Sequence, residues 1–171
     1  IEYDENGNIQ TVYFCDTIVG KFQYYPNGLL RKQIIGDETV EYEYNRFGSV
    51  IKTVRSFESG KELIEVLEYD DSNRVIRRTD CDGKITLISY ETNRILENIN
   101  GEVKIERKFD SLNREYETIV TDLKKGNEIK KYIEYDETTQ NPKKIFLNNV
   151  LIEENEYYRR NLLKTKKVWP Y

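Results

Sequence analysis

One short pattern returns eight times along this 171-residue chain: an aromatic residue, a turn-forming cluster, then an apolar pair that opens a new strand. It reads Tyr3-Asp4-Glu5-Asn6-Gly7-Asn8-Ile9, then Tyr24-Tyr25-Pro26-Asn27-Gly28-Leu29-Leu30, Tyr44-Asn45-Arg46-Phe47-Gly48-Ser49-Val50 and Tyr69-Asp70-Asp71-Ser72-Asn73-Arg74-Val75. The later copies are Tyr90-Glu91-Thr92-Asn93-Arg94-Ile95, one residue shorter, Phe109-Asp110-Ser111-Leu112-Asn113-Arg114, Tyr135-Asp136 with an insertion through Asn141-Pro142, and Tyr157-Tyr158-Arg159-Arg160-Asn161-Leu162-Leu163. The anchors Tyr3, Tyr24, Tyr44, Tyr69, Tyr90, Phe109, Tyr135 and Tyr157 lie 19 to 26 residues apart, with a mean of 22. A second turn signal falls midway in each interval, at Val19-Gly20, Gly36-Asp37, Ser59-Gly60-Lys61, Asp82-Gly83, Asn100-Gly101, Gly126-Asn127 and Asn148-Asn149. Each repeat therefore holds two strands. On this reading all nine glycines occupy turns, where a residue without Cβ takes positive φ cheaply.

Between turns the side chains alternate with period two. Val40, Tyr42 and Tyr44 share one face and Thr39, Glu41 and Glu43 the other; Val103, Ile105 and Phe109 repeat the arrangement, with Arg107 out of place. The anchor ring falls on the apolar face, and an Asp or Asn after it can fold its side-chain oxygen onto backbone N–H groups two residues on. No segment carries a sustained apolar stripe of period 3.6, and helix is expected to be minor. The fold class is all-β: a single domain over residues 1–171, an antiparallel meander of about eight two-stranded repeats with one apolar and one charged face. A flat sheet of that many strands would span on the order of 75 Å. Strong curvature is expected, either closed into a flattened barrel or coiled as an open shell. Leu162 to Trp169 carries Lys164, Lys166 and Lys167 and no acid, the mark of a protected edge strand. The segment around Ile1 to Asp4 lacks such protection.

Composition narrows the chemistry. There is no His, which removes Ser-His and Cys-His nucleophile systems. Cys15 and Cys81 are 66 residues apart and in no CxxC pair, so two reduced thiols or two unrelated buried positions are expected instead of a metal site. Asp80-Cys81-Asp82-Gly83 and Asp4-Glu5-Asn6-Gly7 look like calcium-loop openings but lack the distal Glu, and read as turns. With 31 acids, a carboxylate-pair hydrolase is conceivable; against it, Asp70-Asp71 sits in a repeat turn and Glu153-Glu154-Glu156 on a strand. No catalytic residue, cofactor or metal is expected.

An isoelectric point near 5.2 opposes phosphate binding, so no nucleic-acid partner is expected, and Arg159, Arg160, Lys164, Lys166 and Lys167 read as the protected edge. No apolar run approaches the ~20 residues of a membrane-spanning helix, and membrane insertion is not expected. Twelve per cent aromatics, spread along the chain, argue for a folded protein. Tyrosine clusters can form a sugar- or protein-binding platform, though the anchor rings read as core. Period-two geometry predicts that one of Tyr24 and Tyr25, and one of Tyr157 and Tyr158, is exposed. No signal peptide is visible, but the sequence begins at Ile1 without an initiator Met, so the missing signal is uninformative and the compartment stays open.

The pattern Tyr-Asp-x-x-Gly-x-apolar, kept most fully at Tyr3-Asp4, Tyr69-Asp70 and Tyr135-Asp136, resembles the YD repeat of the RHS family over nearly the whole chain. In that family the repeats form long β-hairpin ribbons, which in large secreted toxins coil into a hollow shell around a toxic domain. Small proteins of this look also occur as bacterial surface or lipoprotein domains and as immunity partners. The resemblance implies a bacterial scaffold or binding protein with a protein partner and carries over no catalytic residues. The concrete expectation is an acidic, cytoplasmic immunity protein that neutralises a toxin domain. The alternative is a secreted or surface domain, or a piece of a larger RHS protein, contacting protein or carbohydrate.

Overall fold

The computed structural model describes residues 1–158 and 161–170, so Arg159 and Arg160 of the basic stretch lie outside the described residues. The chain forms two compact units, Ile1–Ile85 and Thr86–Tyr171, divided at the start of β9. The first holds β1 (Glu2–Tyr3), β2 (Ile9–Phe14), β3 (Thr17–Tyr24), β4 (Leu30–Ile35), β5 (Glu38–Tyr44), β6 (Val50–Phe57), β7 (Glu62–Tyr69) and β8 (Val75–Thr79). The second holds β9 (Ile85–Glu91), β10 (Arg94–Ile99), β11 (Val103–Phe109), β12 (Glu115–Asp122), β13 (Glu128–Tyr135), β14 (Pro142–Leu147), β15 (Val150–Tyr157) and β16 (Leu163–Val168). The strands succeed one another as one antiparallel meander in chain order, and β1 and β16 are the two ends of that order. Among the described residues the strand order is open, with no ladder joining β16 to β1, so the flattened barrel is not formed. Among the described residues no helix is long and apolar enough to cross a membrane.

Seven of the eight anchors end their strands, and each of these sits at a break in the ladder. Glu43 faces Lys52 but Tyr44 faces Val50, leaving Ile51 as an extra residue. The same shift occurs at Tyr3, Tyr24, Tyr69, Phe109, Tyr135 and Tyr157, with Gln10, Arg31, Ile76, Tyr116, Lys143 and Lys164 extra on the following strand. A bulge bends its strand and re-aims the side chain beside it, so the repeat is a device for placing a ring at a fixed angle. Tyr90 is the exception. Its shorter copy turns on Thr92-Asn93, Glu91 faces Arg94, and the register stays regular.

The turns follow the sequence with one correction. Val19-Gly20 is not a turn: β3 runs through it, and the chain reverses at Cys15 and Asp16, both left-handed (φ 47° and 60°). Gly20 is buried mid-strand beside the bulge at Val19, and a Cβ there would come within 3.1 Å of the Phe22 ring. Its smallness admits that ring, the role of a strand glycine at a close approach. Asn100-Gly101 turns as read, with both residues left-handed and the ladder resuming at Val103. Where the anchor loops lose Gly, a polar side chain takes the left-handed position, at Asn73, Asn113, Gln140 and Asn161.

Burial departs from a clean two-faced sheet. Val40 and Ile133 are the buried apolar residues among those described, while the anchor rings are half-buried, except Tyr3, 59% exposed on a strand with one neighbour. Lys32–Glu41 (2.7 Å) and Lys52–Glu43 (3.1 Å) lie opposite the Val40 face, but Arg55–Glu38 (3.3 Å) and Arg78–Glu65 (2.6 Å) share it. Ion pairs therefore line both faces, because each long side chain can lay its stem along the rings and keep its head in water. Arg107 on the Ile105 face is answered by Glu97, its cross-strand diagonal partner. Tyr158 is exposed and Tyr157 half-buried, but neither Tyr24 nor Tyr25 is exposed. The chain leaves the ladder after Tyr24, so alternation no longer governs Tyr25, whose ring meets Tyr44 edge-on at 6.0 Å.

Candidate functional site

The anchor loops line one margin of each unit, and their geometry is repeated. Asp4 Oδ1 accepts from the N–H of Asn6 (3.0 Å) and of Asn8 (2.8 Å). Asn45 does the same for Phe47 and Ser49, Asp70 for Ser72 and Arg74, and Asp110 for Leu112 and Arg114. Asp80 makes this clamp too, on Asp82 and Lys84, so the calcium-like sequence there is a loop of the same build. The second carboxylate oxygen of Asp70 or Asp110 takes the guanidinium of Arg74 or Arg114. These bonds hold the carboxyls below the usual Asp range: chiefly the Asn8 amide at Asp4, the Arg74 N–H at Asp70, the Arg114 side chain at Asp110 and the Thr139 N–H at Asp136.

A second device was missed in the sequence. The hydroxyls of Tyr44, Tyr69, Tyr135 and Tyr157 donate to the backbone oxygens of Leu30 (2.8 Å), Val50 (2.7 Å), Glu115 (2.6 Å) and Pro142 (2.7 Å). Each acceptor opens the strand that follows the preceding anchor loop. Each ring thus clasps the loop one repeat earlier, and burial pushes all four phenols above their ordinary range. Neighbouring loops also bond directly, Asn45 to Asn73 (2.8 Å) and Asn73 to Ser49 (2.8 Å) in the first unit, Arg114 to Gln140 in the second.

Open grooves lie between these loops, and the bulge residues line them. In the first unit two adjoining grooves share Glu43, Asn45 and Ile51, one reaching Tyr25 and Leu29, the other Phe47 and Tyr69. In the second unit a groove between the 110–114 and 136–141 loops is walled by Tyr116, Tyr132 and Tyr135 and edged by Asp110, Glu134, Glu137 and Lys143. Tyr132 stands in a ring series between Tyr116 (6.3 Å) and Phe146 (6.2 Å). The Arg114 guanidinium lies 4.3 Å from the centre of the Tyr135 ring. Among the described residues, no three His, Cys, Asp or Glu side chains are placed to hold a metal ion. Cys15 and Cys81 are exposed and unbridged, each at its own turn.

The basic end strand β16 is exposed at every residue, and Lys164, Lys166 and Lys167 reach back to Glu156, Glu153 and Glu154 of β15. Among the described residues of the second unit the buried charged side chain is Glu117, 7% exposed, held between the ammonium groups of Lys108 (2.5 Å) and Lys130 (2.6 Å).

No protein-family model and no curated protein matches the sequence. Solved structures do. The chain is similar to one in a crystal structure of TcdB2-TccC3-Cdc42, at 12% identity and a TM-score of 0.67 over 88% of this chain and 9% of that one. It is also similar to one in the structure of a Photorhabdus luminescens Tc holotoxin pore with a mutated TccC3, at 12% identity and a TM-score of 0.50 over 92% of this chain and 11% of that one. The chain spans about a tenth of the length of those chains. At this identity the likeness is one of fold: the antiparallel hairpin sheet is an architecture found within Tc toxin components.

Proposed function

We propose that the chain is a non-enzymatic, protein-binding sheet of the RHS/YD-repeat type, and in its most concrete form an immunity protein that covers a bacterial toxin domain. One observation carries the non-enzymatic part. The repeat's chemistry-bearing residues are occupied in architecture, the Asp carboxyls clamping loops and the Tyr hydroxyls clasping backbone. A carboxylate acting as general acid needs a raised pKa. The carboxyls of Asp4, Glu41, Asp70, Asp110, Glu117, Asp136, Glu153 and Glu156 are instead held below their ordinary range, because each accepts bonds from cations or N–H groups. The protein-binding part is supported by the grooved, aromatic loop margins and by the fold likeness to toxin components. The test is co-elution of the purified chain with the toxin domain encoded beside it. A stable complex at micromolar concentration and loss of toxicity are expected, and separate elution of the two proteins would refute the immunity role.

The coverage of about a tenth of the Tc chains favours a second reading, in which this sheet is a segment of a longer RHS-type wall at the cell surface or in a secreted protein. A reading frame that continues into further repeats, or one that opens with a signal or lipobox, selects this reading. A short frame beside a toxin gene selects the first.

A further inference from the structure

We propose that the groove between the 110–114 and 136–141 loops receives Arg or Lys side chains presented by a basic segment of the protein partner. This rests on the protein-binding reading and adds to it the place and the chemistry.

The argument begins with unused charge. Most strand glutamates in this sheet are answered by a cross-strand Lys or Arg, as Glu41, Glu43 and Glu68 are. Glu134 and Glu137 line the groove, and among the described residues neither carboxylate has an ion pair or hydrogen bond. The cation facing Glu134 in the ladder, Lys144, turns to Glu154 instead (3.9 Å). The groove thus sets four carboxylates, Asp110, Glu134, Asp136 and Glu137, against two cations, Arg114 and Lys143. Asp110 and Asp136 are engaged by their own loops, which leaves Glu134 and Glu137 as the acceptors for an incoming cation.

The walls suit the same ligand. A guanidinium or ammonium is attracted to an aromatic face as well as to a carboxylate. The groove already displays that combination internally, with Arg114 bonded to Asp110 (2.7 Å) and set over the Tyr135 ring. Tyr132, 38% exposed beside Glu134, offers a second ring. A basic side chain entering here would repeat the Arg114 arrangement with Tyr132 and Glu134 as its partners.

The probe is a labelled, end-blocked peptide of alternating Arg and Gly, its affinity read by fluorescence anisotropy, with a Glu-for-Arg peptide as control. The comparison is among the intact chain, the double variant Glu134→Gln with Glu137→Gln, and Glu128→Gln, which removes a carboxylate from the same strand outside the groove. The double variant should weaken Arg-peptide binding roughly 10-fold or more, Glu128→Gln less than about 2-fold, and added salt should weaken binding to the intact chain. In the unmodified protein, the peptide should shift the ring resonances of Tyr132 and Tyr135, a readout that does not depend on a variant folding. Equal binding by the double variant, equal loss in Glu128→Gln, equal affinity for the Glu peptide, or unmoved Tyr132 and Tyr135 signals would each overturn the assignment. A partner protein captured equally well by the double variant would remove the groove and leave the protein-binding reading standing.

Discussion

Replacing Glu117 by Gln keeps the shape of the side chain and removes its charge from between Lys108 and Lys130. Breaking a buried ion pair by deleting one partner costs about 3 to 5 kcal/mol when the remaining charge stays buried. Here the Lys108 and Lys130 side chains are 32% and 42% exposed and can turn to water, while the side chain at 117, 8% exposed, stays buried as a neutral amide. The cost should therefore fall to about 2 kcal/mol, nearer the loss of two charged hydrogen bonds partly recovered by solvent. For a domain of this size that is a fall in Tm of roughly 4 to 8 °C.

The pH dependence separates charge from packing. Lys108 and then Lys130 hold the Glu117 carboxyl below its ordinary range in the folded protein. Its contribution is present in full above the unfolded carboxylate's pKa, about 4.3, and is lost as pH falls through the lower folded value. Urea titrations followed by circular dichroism, on the unmodified chain and E117Q between about pH 7 and pH 2, should give two stability curves that converge at the acid end. A gap that stays constant down to the lowest pH at which both fold would refute the electrostatic account and leave only altered packing.

Tyr69→Phe deletes the hydroxyl that reaches the Val50 oxygen and should cost about 1 kcal/mol by urea titration, whereas Tyr158→Phe, on an exposed ring, should cost almost nothing. Gly48→Ala forces a Cβ onto a backbone at φ 82° and should cost about 1 to 2 kcal/mol, while Gly20→Ala, at ordinary φ, should stay within about 1 kcal/mol because only the Phe22 ring must shift. Asn113 holds the glycine position of its loop, so Asn113→Gly should melt close to the parent and Asn113→Val clearly below it. Asp70→Asn keeps the acceptor for the Ser72 and Arg74 N–H groups but loses the guanidinium pair, so it should melt between the parent and Asp70→Ala, the difference shrinking in acid as the parent carboxyl protonates.

The strands were legible because two independent signals agreed on them, alternation between the turns and an Asx or Gly cluster at each end. The same logic explains Asn73 and Asn113, which hold the left-handed position that Gly48 holds earlier. Gly20 misled because a glycine that admits a ring and a glycine that makes a turn look alike in one dimension. The bulges were invisible for a different reason: Ile51, Ile76 and Tyr116 are displaced by backbone register, and register depends on the neighbouring strand. The hydroxyl clasps were hidden by Phe109, which stands at an anchor with no hydroxyl and makes the ring alone look sufficient. Glu117 and the groove at Glu134 follow from which cations lie across two ladders, a relation among β11, β12, β13 and β14 that no single stretch of sequence contains.

The direction of the tyrosine clasps bears on how such a chain is made. Val50 emerges from the ribosome before the Tyr69 that will seize its oxygen, Leu30 before Tyr44, and Glu115 before Tyr135. Each of these loops stays unlatched until translation has added another hairpin, so its fastening travels one step behind synthesis. A nascent chain halted between Val50 and Tyr69 would carry one open latch at its growing end while the Leu30 latch behind it was already shut.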